Sequence, residues 1–109
     1  NKYLSKIKNQ NILLPKIRCN TTHVFHIFAV MVKNRKKFIN YLNSKNIFPG
    51  VHYLKLAHLN LGYKRYCKFK SYELINSKYV SKSTVSLPIY PELSLKTVDK
   101  IIHIINKYK

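Results

Sequence analysis

Acidic residues are the scarcest charged class in this sequence. Three side chains are Asp or Glu, 21 are Lys or Arg, and the formal net charge is +18. The three acids, Glu73, Glu92 and Asp99, leave almost no candidates for a carboxylate pair in acid–base catalysis. So basic a surface attracts polyanions such as nucleic acid, phosphorylated metabolites or acidic lipid. Because codon bias in an AT-rich genome also produces a composition rich in Lys, Asn, Ile and Tyr, charge alone does not identify a partner.

Glycine, cysteine and long apolar runs are also rare. Gly50 and Gly62 are the only glycines, which excludes a glycine-rich phosphate-binding loop. Cys19 and Cys67 are too few and too widely spaced for a disulfide scaffold or a CxxC metal site, so we expect no metal and a reduced, cytoplasmic protein. The longest apolar run, residues 23–32, is shorter than the roughly 20 residues that cross a bilayer, so we expect no membrane contact.

The apolar residues that are present suffice for one folded domain. Hydrophobic residues make up 46% of the 109 positions. Residues 1–9 have the spacing of the end of a helix, and residues 12–14 suit a connector or edge strand because Pro15 follows. HVFHIFAVMV, residues 23–32, is rich in β-branched and aromatic side chains, which predicts a central strand buried on both faces.

Capping and periodicity predict the remaining elements. These are a helix over 34–46, a strand over 51–54, a helix over 71–82, a strand over 84–89 and a helix from 94 almost to the C-terminus. Asn34 and Ser94 are the expected N-caps. Residues 55–70 have no clean period and predict a long loop with at most one helical turn. This order predicts an α+β fold, a small sheet of three or four mostly antiparallel strands covered by helices.

The apolar faces of the first and last of these helices are the clearest. We expect the following residues to point inward: Phe38, Ile39 and Leu42 on the first, and Leu95, Val98, Ile101, Ile102, Ile105 and Tyr108 on the last.

Histidines are the main candidates for chemistry. His23 and His26 lie three apart in the predicted central strand, so they should point to opposite faces and serve structural roles. In GVHYLKLAHLN, residues 50–60, Tyr53 stands beside His52 and His58 follows six positions after it. Such side chains can bind a ligand or pack beneath a loop, and the residues alone leave both roles open.

A second candidate is the mixture of basic and aromatic residues in YKRYCKFKSY, residues 63–72. Aromatic rings stack on bases and Lys or Arg hold phosphates in proteins that bind single strands. The segment lacks the motifs of the common RNA-binding modules, so a solvated basic loop is the competing interpretation.

Three stretches in fixed order resemble the C-terminal domain of the DegT-type nucleotide-sugar aminotransferases, which depend on pyridoxal phosphate (PLP). They are HVFHIFAV followed by Asn34-Arg35 and an amphipathic helix, NIFPGVHYLKLAHLNLGY, and VSLPIYPELS leading into the final helix. The resemblance covers residues 20–109 and implies the small domain of a fold-type I PLP enzyme, with residues 1–19 as the end of a linking helix and a connector. Leu54 and Lys96 depart from the family pattern, which commonly has a proline after His-Tyr and an acidic first turn.

The resemblance implies part of an enzyme that transfers an amino group from an amino acid, glutamate by expectation, to a nucleotide-linked keto-sugar. In that family a larger domain carries the Schiff-base lysine and the phosphate site, so we expect no catalytic residue here and no PLP bound by this segment alone. His52 and Tyr53 would bind substrate, and His58 would anchor the loop. The domain would close over the active-site cleft, and the full-length enzyme would be a homodimer. The alternative is a small basic nucleic-acid-binding module, which we consider the weaker interpretation.

Overall fold

A computed structural model describes residues 2–66 and 73–109, with the backbone alone at Lys64. Its elements in chain order are α1 (Lys2–Lys6), β1 (Ile12–Leu13), β2 (Phe28–Val32), α2 (Arg35–Asn43), a 3₁₀ turn (Ala57–Leu59), α3 (Leu61–Lys64), α4 (Ile75–Ser83), β3 (Thr84–Leu87) and α5 (Leu95–Asn106). This arrangement confirms the α+β prediction.

The three strands form one antiparallel sheet with β2 in the centre. Ile12 of β1 pairs with Val32, and Val85 of β3 pairs with Val30. The predicted number of strands and their direction are therefore confirmed.

The central strand is shorter than predicted and is fully buried on one face only. Along β2, burial alternates: Phe28 and Val30 are 0% exposed, whereas Ala29 and Met31 are only partly buried. Alternate side chains of a strand point to opposite faces. The strand begins only at Phe28, because Phe25 has a φ of 50°, in the left-handed region, where the chain turns. The prediction of a strand over 23–32 buried on both faces was wrong in both respects.

The predicted strand over residues 51–54 is absent. Gly50 alone pairs with the sheet, through an isolated bridge to Ser86 of β3. On one side of this bridge Pro49 and Pro88 have no N–H to extend a ladder. On the other side the chain folds so that the side chain of His52 contacts Ser86.

The core lies between one face of the sheet and helices α1, α2 and α5. Its fully buried members include Phe38 and Leu42 of α2 and Ile105 of α5, all 0% exposed. Ile39 and Val98 are partly buried against this core, and both were predicted to point inward. Leu95 is 67% exposed, so its predicted inward position was wrong, because it stands in the first turn of α5, outside the covered part of the helix.

Both predicted N-caps are confirmed. Asn34 Oδ1 accepts a hydrogen bond from the Lys37 N–H at 3.0 Å, and Ser94 Oγ accepts one from the Thr97 N–H at 3.1 Å.

The helix predicted over 71–82 begins at Ile75, and residues 71 and 72 lie outside the described part of the chain. None of the described helices is both long enough and apolar enough to span a membrane.

Candidate functional site

A cleft of about 590 Å³ opens beside β3. Three separate parts of the chain line it, namely residues 26–27, residues 48, 50, 52 and 53, and residues 86–90. Each part belongs to one of the three sequence stretches HVFHIFAV, NIFPGVHY and VSLPIYPELS. The fold therefore brings the three motifs together at one place.

His52 is attached to the sheet through its side chain. Its Nδ1 lies 2.9 Å from Oγ of Ser86, a residue only 4% exposed. The backbones of Gly50 and Ser86 exchange two hydrogen bonds, both of 2.9 Å, which fix the chain just before His52. The imidazole is therefore held at one nitrogen while the residue remains exposed at the cleft.

Gly50 makes room for this arrangement. A Cβ added there would lie 2.9 Å from Cε1 of His52, closer than side-chain carbons approach one another in proteins. Gly50 does not have a positive φ, so the requirement for glycine here comes from the close approach of the ring.

Tyr53 stands beside His52 with its ring turned edge-on. The ring centroids are 5.8 Å apart with an angle of 83° between the planes, and the peptide bond joining the two residues is cis. Tyr53 is 77% exposed, so its hydroxyl and ring face are available to a ligand. The structure thus brings the two residues of the predicted pair to the same cleft.

His26 is a cleft residue that the sequence reasoning missed. It is exposed and lies in the lining with His52, whereas the sequence placed it in a strand as a structural residue. The sequence did not indicate the position of His26 because that position depends on the turn at Phe25. A left-handed φ is rare at a bulky residue, so the turn could not be predicted. His23 does have a structural contact: its Nδ1 accepts the Phe25 N–H at 2.9 Å, and the two rings stack.

His58 lies away from the cleft. It sits in the 3₁₀ turn Ala57–Leu59, where it is partly buried, and it is not among the residues that line the cleft. The structure therefore separates His58 from the cleft that His52 and Tyr53 line, and its role as a loop anchor stays a prediction.

Tyr3 connects α1 to the wall of the cleft. Its hydroxyl donates a hydrogen bond of 2.9 Å to the carbonyl oxygen of Pro88, and the residue is 3% exposed. Burial, with a smaller contribution from the nearby Tyr90, raises the pKa of Tyr3 to about 12. The phenol is thus a neutral donor that ties the start of the chain to the segment after β3.

The cleft does not by itself fit a cofactor such as PLP. Its described lining contains neither a lysine, which would form a Schiff base, nor a carboxylate, which would pair with a pyridine nitrogen. Nor do His, Cys, Asp and Glu side chains cluster in threes within residues 2–66 and 73–109, as a metal site would require.

The basic and aromatic segment is described only in part. Tyr63 and Tyr66 are 60% and 72% exposed, and the Arg65 guanidinium lies 5.3 Å from the centre of the Tyr66 ring. Residues 67–72, which hold the rest of this candidate, lie outside the described residues.

Relatives with known sequences match nearly the whole chain. The chain is 35% identical over 106 residues to a dTDP-3-amino-3,6-dideoxy-alpha-D-galactopyranose transaminase of Aneurinibacillus thermoaerophilus, covering 97% of this chain and 28% of that protein. It is 26% identical over 98 residues to the spore coat polysaccharide biosynthesis protein SpsC of Bacillus subtilis, covering 84% of this chain and 25% of that protein. The chain therefore spans little more than a quarter of the length of these relatives.

Two solved structures illustrate the fold that this chain shares. DesV of S. venezuelae, in complex with a ketimine intermediate, superposes with a TM-score of 0.90 at 25% identity over 97% of this chain and 29% of that one. PseC of Helicobacter pylori, an aminotransferase of pseudoaminic acid biosynthesis, shares the fold with a TM-score of 0.80 at 20% identity, over 97% of this chain and 29% of that chain. The sequence model of the DegT/DnrJ/EryC1/StrS aminotransferase family matches residues 1–106. The chain therefore belongs to the DegT/DnrJ/EryC1/StrS aminotransferase family.

Proposed function

We propose that this chain is the substrate-facing part of a longer PLP-dependent enzyme that transfers an amino group from an amino acid to a nucleotide-linked keto-sugar. The observation that carries the proposal is that the three motifs of the family resemblance meet at one cleft, with His52 and Tyr53 in its lining. The dTDP-sugar named for the Aneurinibacillus relative supports the nucleotide-sugar class. These comparisons lend no support to a nucleic-acid-binding module.

His52 and Tyr53 have the chemistry to hold such a substrate. An imidazole N–H donates to a diphosphate oxygen, and such bonds to a charged acceptor are stronger than neutral ones. Tyr53 is 77% exposed and offers its hydroxyl to the same group or its ring face to the sugar. His58 would not contact the ligand and would anchor the loop after Tyr53.

PLP would be held by the remainder of the longer protein and, when bound there, would supply the electron sink that lets an amino group move. Residues 20–109 would form the small domain that closes over the cleft and excludes water, and residues 1–19 would link it to the larger one. Glutamate is the proposed donor and a homodimer the proposed assembly. The proposal retains the cytoplasmic location that the low cysteine content favours.

A chimaera tests this function directly. Residues 1–106 would replace the matched segment of the Aneurinibacillus transaminase, which supplies its own PLP-binding part. We expect the chimaera to transfer an amino group to a dTDP-linked keto-sugar. His52→Ala should raise the KM for that sugar by roughly tenfold to a hundredfold, because a hydrogen bond to a charged group contributes about 1.5–3 kcal/mol.

His103→Ala is the matched control, because His103 is an exposed histidine of α5 outside the cleft. It should leave KM unchanged. Two results would contradict the proposal: a correctly folded chimaera with no transfer activity, or a His52→Ala variant whose KM is unchanged while its melting temperature falls, which would show that His52 is structural.

A further inference from the structure

The hydrogen bond between Ser86 and His52 joins a buried hydroxyl to an exposed imidazole. Ser86 is 4% exposed, and its Oγ lies 2.9 Å from Nδ1 of His52. A serine hydroxyl has one proton to donate, whereas a nitrogen of a neutral imidazole either donates or accepts, depending on the tautomer. The direction of this one bond therefore decides which nitrogen of His52 carries the proton.

The surroundings of Ser86 favour its hydroxyl as the donor in this bond. Within residues 2–66 and 73–109, Nδ1 of His52 is the one side-chain or backbone acceptor that the Ser86 hydroxyl reaches. If Nδ1 carried the proton, the Ser86 O–H would have no acceptor among the described residues, although the residue is only 4% exposed, an arrangement that folded proteins avoid. With Ser86 donating, the hydroxyl proton and Nδ1 are both satisfied, and the imidazole proton is on Nε2.

Small residues hold the ring in place around this bond. Ser86 pairs with Ala29 of β2 on one side and with Gly50 on the other. The position of a Cβ on Gly50 would be 2.9 Å from Cε1 of His52, so the ring occupies the space that the glycine leaves. The nitrogen opposite Ser86, Nε2, has no hydrogen-bond partner in the described part of the chain and is left for a ligand.

We propose that Ser86 is a positioning residue, which holds the neutral imidazole of His52 as the Nε2–H tautomer and turns that N–H toward an anionic oxygen in the cleft. The identity of that oxygen, a diphosphate of a nucleotide-sugar, rests on the proposed function. The tautomer and the ring orientation do not depend on the proposed function, because they follow from contacts within the chain.

Nuclear magnetic resonance of the 109-residue chain labelled with ¹⁵N at histidine tests the tautomer without any ligand. At a pH of about 8.5, where an unperturbed imidazole is neutral, long-range proton–nitrogen correlations should place the His52 proton on Nε2. A nuclear Overhauser effect should connect His52 Hε1 to the Gly50 Hα protons. A His52 proton found on Nδ1 would overturn the proposal.

Substitutions separate positioning from general destabilisation. Ser86→Ala should shift the Nδ1 resonance toward its value in a free imidazole and weaken the contact to Gly50, whereas Ser86→Thr, which keeps the hydroxyl, should preserve both signals. Gly50→Ala should disturb the same His52 signals from the other side of the ring while leaving the Ser86 hydroxyl in place. The His103 resonances serve as the control, and unchanged His52 signals in both Ser86→Ala and Gly50→Ala would overturn the proposal.

The chimaera described above adds a readout of function. In it Ser86→Ala should raise the KM for the nucleotide-sugar severalfold with an unchanged KM for the amino-acid donor, and Ser86→Thr should restore the original value. If the resonance results hold and these KM values do not change, the ligand assignment is wrong while the tautomer stands. If the resonance results fail, Ser86 does not position His52, whatever the activity of the chimaera.

Discussion

At the scale of single residues, Tyr3 shows how one buried hydroxyl stabilises the segment that follows β3. Its O–H donates to the Pro88 carbonyl at 2.9 Å, and Tyr3 itself is only 3% exposed. Tyr3→Phe removes this bond and leaves the carbonyl without its donor. We expect the free energy of unfolding at neutral pH to fall by about 1 kcal/mol, measured by urea denaturation.

The same tyrosine predicts a dependence of stability on pH. Because its pKa is raised from 10.0 to about 12 in the folded protein, the unfolded chain loses this proton first as the pH rises. The contribution of Tyr3 is fully present below pH 10 and is lost as the pH approaches 12. The difference in stability between the wild type and Tyr3→Phe should therefore shrink over this range. A difference between the wild type and Tyr3→Phe that stays constant over this range would contradict this explanation.

The residue scale also shows which residues of the cleft the sequence indicated and which it did not. His52 and Tyr53 were singled out because a family motif runs through them, and the fold does place both in the cleft. His26 and Ser86 were not, because their positions depend on the turn at Phe25 and on the bridge between Gly50 and Ser86. No local pattern of residues predicts either the turn or the bridge.

At the scale of the elements, hydrogen bonds at helix ends were predictable because they depend on a few neighbouring residues. Asn34 and Ser94 were expected as caps, and each accepts a backbone N–H three positions later. The strand over 51–54 was not correctly predicted, because strand formation depends on a partner and only Gly50 finds one. An N-cap can thus be read locally, whereas the extent of a strand cannot.

The caps themselves can be measured. Ser94→Ala and Asn34→Ala should each lower the free energy of unfolding by about 1 kcal/mol, because each leaves a backbone N–H of the first turn without its acceptor. Ser77→Ala, at an exposed position in the first turn of α4 that is not its N-cap, is the matched control and should raise stability slightly, because alanine is the better helix former. Equal effects of Ser94→Ala and Ser77→Ala would show that the Ser94 cap contributes nothing.

At the scale of the whole molecule, the charge is the dominant feature. The net charge is +18, and the exposed ion pair between Lys2 and Asp99, of 2.8 Å, offsets little of the repulsion. Salt screens such repulsion, with a Debye length of about 10 Å at 0.1 M. Raising sodium chloride from about 0.02 M to about 0.5 M should therefore increase the urea midpoint. A midpoint that falls with salt would show that attractive pairs outweigh the repulsion.

The central claim is that these residues work as one part of a longer PLP-dependent sugar aminotransferase. The most direct measurement is borohydride reduction of the native protein that contains them, followed by mass spectrometry of the intact polypeptide and of its peptides. The account predicts a polypeptide several times larger than the 12.9 kDa of this chain, with the reduced cofactor attached to a lysine outside residues 1–109. A native polypeptide of 12.9 kDa, or a cofactor attached to a lysine within residues 1–109, would contradict it.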